Sequence, residues 1–283
     1  MNNTKSLQNN TDTDTDTDTD TDTDTDTDTD TDTDTDTSSP LYNSIKTNYL
    51  FWFSIVLSII SISYFTTGCS ASSYISGIYT YIFIAFWGYL MHYISHSYHF
   101  TEMYKHSTNS ILKKIHNIPV LNTIIETILE TTIDFHDKIH HDSSINRRPT
   151  NVIIEFVQNF LTQGGLLIIL NNYLSPTLTF TTPSSKFPFK IMLNNNILLL
   201  WAFFYATVHN INYRLVEPIE HENHHIDSKT NYGIDIVDII LNSKYNTKHK
   251  STSPITIEDH NHAAINIIII TTIILWPYLS NTM

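Results

Sequence analysis

YISGIYTYIFIAFWGYLMHYISH, residues 74–96, decides how the rest of the chain is read. Residues 74–91 carry no charge and are strongly aromatic. A bilayer core of about 30 Å is crossed by about 20 mostly apolar residues in a helix, so this run reads as a membrane span near the short end of that range. His92 and His96 follow it directly. A spacing of four puts both imidazoles on one face of a helix that continues out of the membrane.

Working outward, residues 49–65 (YLFWFSIVLSIISISYF) are also uncharged. The break at Gly68–Ser73 suits a tight luminal turn between two spans. Residues 152–170 are apolar with Glu155, Gln158 and Gln163 interspersed. They read as a third span with polar residues facing a bundle interior, or as a helix in the interface. Residues 171–190 read as a Pro- and Thr-rich loop, 191–208 as a fourth span, and 263–280 as a last apolar helix ended by Pro277. The expected fold is therefore all-α: a polytopic transmembrane helical bundle of about four spans plus a C-terminal apolar helix, with a histidine-rich helical cap. The first apolar run is not a signal peptide, because it starts far from the N-terminus without a basic flank or a small-residue cleavage site.

Orientation follows from positive charge. Lys105, Lys113, Lys114, Lys138, Arg147 and Arg148 lie in the first histidine-rich region, and Arg214, Lys229, Lys244, Lys248 and Lys250 in the second. Only Lys186 and Lys190 lie between the third and fourth spans. The positive-inside rule puts both histidine-rich regions on the cytosolic face, in a membrane of endoplasmic-reticulum type.

Residues 1–40 are set apart as a disordered tail from a membrane-embedded domain over 41–283. Residues 11–36 are thirteen consecutive Thr-Asp pairs, with no apolar residue to bury and with carboxylates that repel. The tail is expected to be dispensable for insertion and metal content. It holds thirteen of the 28 acidic residues, so the remainder balances 15 acids against 15 Lys and Arg. No basic stripe exists, which excludes a nucleic-acid partner. The single Cys69 excludes a disulfide framework and a cysteine-based zinc site.

Fifteen histidines are present, none of them in the first 91 residues. Three blocks carry metal-ligand spacing: His92 and His96; His136, His140 and His141; and His221, His224 and His225. Helical neighbours three or four apart converge on one point about 2 Å from an ion. A lone HxxxH pair is usually a solvated surface pair, but three blocks beside membrane spans act jointly. Eight imidazoles exceed the needs of one ion, so two ions are expected. Imidazole suits iron, zinc and copper; oxygen chemistry favours iron, with zinc an alternative in a purified form. His99, His106, His116 and His249 lack partner spacing and read as surface residues. Asp137, Asp142, Glu220 and Asp227 are candidates for carboxylates that orient ligand rings. His260 and His262, just before the last helix, read as ring-orienting or interfacial residues.

The pattern resembles the fatty acid hydroxylase superfamily, which includes sterol desaturases and hydroxylases, over roughly residues 80–245. Trp87-Gly-Tyr-Leu-Met-His92-Tyr-Ile-Ser-His96 is similar to its first histidine box, His136–His141 to its second, and Arg148-Pro-Thr-Asn to the stretch after it. His221-Glu-Asn-His224-His225, then Asn231-Tyr232-Gly233 and Asp238, resembles its C-terminal box. The sequence departs from the pattern in the three residues between His136 and His140, in Val237 where a Trp is usual, in Asn242-Ser243 where Gly-Thr is usual, and in about 20–30 extra residues between the first two boxes. The resemblance implies a further ligand at His209. It also implies two histidine-bound metal ions, dioxygen, electrons from a cytochrome or reductase, and hydroxylation or desaturation of a lipid, either a fatty acyl chain or a sterol-like molecule.

Two other functions remain open at this level. One is a membrane metal carrier or sensor, against which stands the position of the histidines at the span ends rather than inside them. The other is a catalytically degenerate member of the same superfamily.

Overall fold

The fold is given by a computed structural model that describes residues 39–130, 134, 136, 140–141, 149–174, 177–180, 189–216, 219–245 and 257–280, with backbone alone at 174, 177–180, 189–190 and 219–220. Almost all of the tail expected over 1–40 lies outside these residues, as do Lys138, Arg147, Arg148, Lys186, Lys248, His249 and Lys250.

Helix α1 (Pro40–Thr47) leads into α2 (Tyr49–Thr67). α2 stops at Gly68, whose φ of 91° only a residue without Cβ adopts freely. Ser70 then restarts the chain, its side chain accepting the Ser73 N–H at the N-cap of α3 (Ala71–Ser97). Three short helices follow: α4 (Phe100–Lys105), α5 (Ser110–His116) and α6 (Pro119–Ile128). A long kinked helix comprises α7 (Pro149–Phe160), a π-helical turn (Leu161–Gly165) and α8 (Leu166–Leu174). Strands β1 (Thr177–Phe180) and β2 (Phe189–Met192) pair antiparallel, Thr177 opposite Met192. Then come α9 (Asn195–Thr207), a second π-helical turn (Val208–Asn212), α10 (Tyr213–Val216), α11 (Ile219–Ile226), α12 (Asp235–Ile240) and α13 (Ala264–Ser280).

Four helices among the described residues are long and apolar enough to cross a membrane: Tyr49–Thr67, Ala71–Ser97, Pro149–Tyr173 and Asn261–Ser280. Their outward faces are apolar, with Phe53, Val56 and Ile60 on α2, Ile75, Ile78 and Ile82 on α3, and Ile265, Ile268 and Ile273 on α13 all exposed. Such a surface is stable against hydrocarbon rather than water, and a helix satisfies its own backbone polar groups there.

Two expectations are corrected and a third is refined. The segment 191–208 is not among those four helices, because Asn195, Asn196, His209 and Asn210 lower its apolarity. α9 forms the centre of the bundle, burying Ile197, Leu198, Leu200, Trp201, Phe204 and Ala206. The 171–190 segment is not all loop, since α8 runs to Leu174 and the Thr- and Phe-containing strands make a hairpin in an otherwise helical fold. Pro277 lies inside α13 rather than ending it. Within the last turn its missing N–H removes a single helical bond.

The helix ends show where the chain returns. Asn48 before α2 bonds Glu258 O and His260 N at 2.8 and 2.6 Å, so the starts of α2 and α13 lie together. At the opposite end Asn194 Nδ2 donates to Thr66 Oγ1 (3.3 Å) and Asn171 Nδ2 to Asn195 Oδ1 (2.6 Å), joining the end of α2, the end of α8 and the start of α9. Both α7–α8 and α9 therefore run the length of the bundle. The small side of Gly164 lets the first π-turn pack on α9, where a Cβ would meet Leu198 O at 2.8 Å.

Candidate metal centre

All three histidine blocks, and His209, meet at one end of the bundle. The last turns of α3 supply His92 and His96, residues 136–141 supply His136, His140 and His141, α11 supplies His221, His224 and His225, and the second π-turn supplies His209.

The rings form two sets. In the first, His92 Nε2 lies 2.9 Å from His136 Nε2 and 3.1 Å from His224 Nε2, which is 3.0 Å from His96 Nε2. In the second, His225 Nε2 lies 3.1 Å from both His140 Nε2 and His221 Nε2. His141 packs between the sets, its ring centre 4.7 Å from that of His96 and 4.3 Å from that of His225. His209 flanks the second set, 4.5 Å from His140.

The tautomers follow from the partners of the other nitrogens. His92 Nδ1 lies 2.9 Å from Tyr232 O and His224 Nδ1 lies 2.6 Å from Thr230 O. A carbonyl only accepts, so each Nδ1 donates, and in a neutral ring Nε2 then carries the lone pair. Burial and neighbouring rings hold His136, His221 and His224 well below the usual imidazole range, and burial pushes His140 down to about 4. These rings are thus neutral, the form that ligates metals. The Nε2 atoms of His92 and His224 consequently face each other lone pair to lone pair, an arrangement that only a cation between them makes favourable. Ligands at right angles about 2.1 Å from one ion stand about 3.0 Å apart, the spacing found here. The donor set therefore fits a metal ion in each set.

Local folding fixes the orienting carbonyls. Asn231 adopts φ 53°, a left-handed conformation that Asn tolerates. Buried Asp238 accepts Tyr232 N (2.9 Å), Gly233 N (2.9 Å) and Ser243 Oγ (2.7 Å), which clamps the turn that presents Tyr232 O to His92. Burial pushes the Asp238 carboxyl up to about 6 despite these bonds.

Of the four carboxylates the sequence suggested, Asp227 alone has its side chain among the described residues. Asp227 accepts Lys229 N at 3.1 Å and shapes the turn bearing Thr230, rather than touching a ring. Asp137, Asp142 and the side chain of Glu220 lie outside the described residues. Among the described residues, the carboxylate that reaches the rings is Glu155 of α7. It is buried, with Oε1 2.5 Å from His140 Nδ1 and 3.4 Å from His209 Nε2, and Oε2 3.4 Å from Arg214. Its only sequence signal was an acid inside an apolar run, three and four residues before Gln158 and Asn159 on the same buried face.

His99 and His106 are exposed, and His116 packs on Tyr104. His260 is buried beside Asp235 and Glu258, but the Lys244 ammonium pairs with Asp235 and already supplies a cation to that group. His262 donates to Asp259 O. Between the His260 group and the first set lies a cavity whose walls include His92, His209, His221 and His224 on one side and Phe51, Ala85, Trp201, Phe204 and Val208 on the other.

No family model matches the chain, and neither a curated protein nor a solved structure is found to match it.

Proposed function

We propose that this chain is a membrane-bound dimetal oxidoreductase that uses dioxygen to hydroxylate or desaturate a lipid, a fatty acyl chain or a sterol-like molecule. The observation that carries this reading is the convergence of seven imidazole Nε2 atoms, in two sets, at one end of an apolar helical bundle. His92, His96, His136 and His224 would hold one ion, and His140, His221 and His225 the other, with His141 and His209 alongside. Bound iron would supply the activation of dioxygen and the removal of hydrogen from an unactivated C–H bond, for which side chains alone have no handle. The chain's own residues bind and orient. Phe51, Trp201 and Phe204 give the cavity an apolar wall for an alkyl segment, and His92 and His224 form its metal-facing wall. Tyr232 O and Thr230 O keep the ring protons on Nδ1, away from the ions. Electrons come from an external cytochrome or reductase. The lysines and arginines near the histidines support a cytosolic position for this end, in a membrane that we read as of endoplasmic-reticulum type. Burial of His92, His136, His140 and His224 favours a retained ion over the rapid exchange a carrier needs.

The test is mass spectrometry of lipids from membranes expressing the chain under ¹⁸O₂. Gain of one ¹⁸O, or loss of two hydrogens, is expected with the native chain and not after replacing His140 and His141 with Ala. A protein with two bound ions and neither lipid product overturns the enzyme reading. Single cysteines near residues 145 and 245, in a background lacking Cys69, should label from the same side of sealed membranes.

A further inference from the structure

The two histidine sets differ in what stands behind them. In the first, the Nδ1 atoms of His92 and His224 face backbone carbonyls, which carry no net charge. In the second, His140 Nδ1 faces the Glu155 carboxylate at 2.5 Å, and the same oxygen lies 3.4 Å from His209 Nε2. Glu155 sits two turns into a helix apolar enough to cross a membrane, and its side chain is 3 % exposed. An ionisable residue at such a position is costly and marks a functional partner. Arg214 at 3.4 Å is the one cation among the described residues paired with it, and that guanidinium is a third exposed and so partly screened by solvent. The negative charge is therefore directed at the rings of the second set.

We infer that Glu155 belongs to the second metal position as the anion behind His140, and that it makes this position hold its divalent ion more tightly than the first, where carbonyls stand behind His92 and His224. This rests on the dimetal reading above. Two physical effects point the same way. A carboxylate 2.5 Å from Nδ1 favours the tautomer with its proton there, which leaves the opposite nitrogen of His140 as the free electron donor. A full negative charge in a water-poor site also attracts a divalent cation far more than a carbonyl dipole does. His209 belongs to this position through the same carboxylate.

The test uses the full-length chain in detergent, loaded with Zn²⁺ and titrated with a chromophoric chelator. The native chain should release two Zn²⁺ in two separate steps. Glu155→Gln, which keeps size and one acceptor, should weaken the tighter step about 10- to 100-fold and leave the weaker step in place. Glu155→Leu should move the same step further. Release of both ions from the native chain in a single step overturns the inference, as does a tight step that neither substitution shifts. Equal weakening of both steps also overturns it, because a general structural defect would act on both. A native chain that binds no Zn²⁺ defeats the dimetal reading itself, and is distinguishable because it involves no variant.

Discussion

Both ends of the bundle gather polar side chains, but they pair them differently. At the end away from the histidines, Asn171 Nδ2 donates to Asn195 Oδ1, Asn195 Nδ2 donates to Asn172 Oδ1, and Asn194 caps α9 while its amide reaches Thr66. Donor meets acceptor throughout, so the network closes on itself. At the other end, the Nε2 lone pairs of His92 and His224 face each other at 3.1 Å. That cluster is complementary to a cation and not to itself. Burial alone does not mark a functional site; the matching of donors with acceptors does.

The largest expected effect separates the two ends directly. Removing metal should destabilise the native chain, by about 4 kcal/mol relative to free metal at 1,000 times its Kd, read as a fall in thermal midpoint. A chain whose midpoint is indifferent to metal would mean that the histidine end is as self-sufficient as the asparagine end.

Acidity should sharpen the contrast. An unfolded histidine titrates near 6.5, whereas burial holds His140 near 4 and, with neighbouring rings, holds His136, His221 and His224 well below the usual range. Because the folded values are depressed, the metal-free protein has its full stability above pH 6.5 and loses it as pH falls toward 4. Metal-loaded protein should resist that loss, since protons must first displace the ion. Thermal midpoints from pH 7.5 to 4.5, with and without metal, measure both; a metal-free midpoint that rises on acidification contradicts the neutral-ring assignment.

At the other end, Asn194→Ala removes a cap and leaves Thr66 without its amide partner. It should cost about 1–2 kcal/mol with metal present or absent, and leave metal stoichiometry unchanged. The smallest effect is expected for Asp227→Ala, about 0.5–1.5 kcal/mol through loss of a turn hydrogen bond, since its carboxylate touches no ring. A large drop in metal content from this substitution would place Asp227 closer to the centre than its contacts do.

Much of the site was legible because its ligands sit in local patterns. His92 and His96, and His221 with His225, are four apart on helices, a spacing that survives any tertiary arrangement. Glu155 was visible as an acid in an apolar run but not as a partner of His140, since nothing in the spacing links residues 140 and 155. The central place of 191–208 was not legible for a related reason. An apolar run reads alike whether it faces lipid or other helices, and only packing against α2, α3, α7 and α13 made α9 the bundle's centre. Proline at 277 was read as a stop because its cost depends on how many helical bonds remain after it, and there only one turn remains.

The sequence by itself determined the uncharged helices, their apolar outer faces and the imidazole pairs at their ends, because these depend on composition and on 3.6 residues per turn. The tertiary structure decided which nitrogens face one another, that Tyr232 and Thr230 set the tautomers, and that Glu155 backs one set and not the other. Those features depend on distances between segments far apart in the chain, and such distances exist only once the helices have packed.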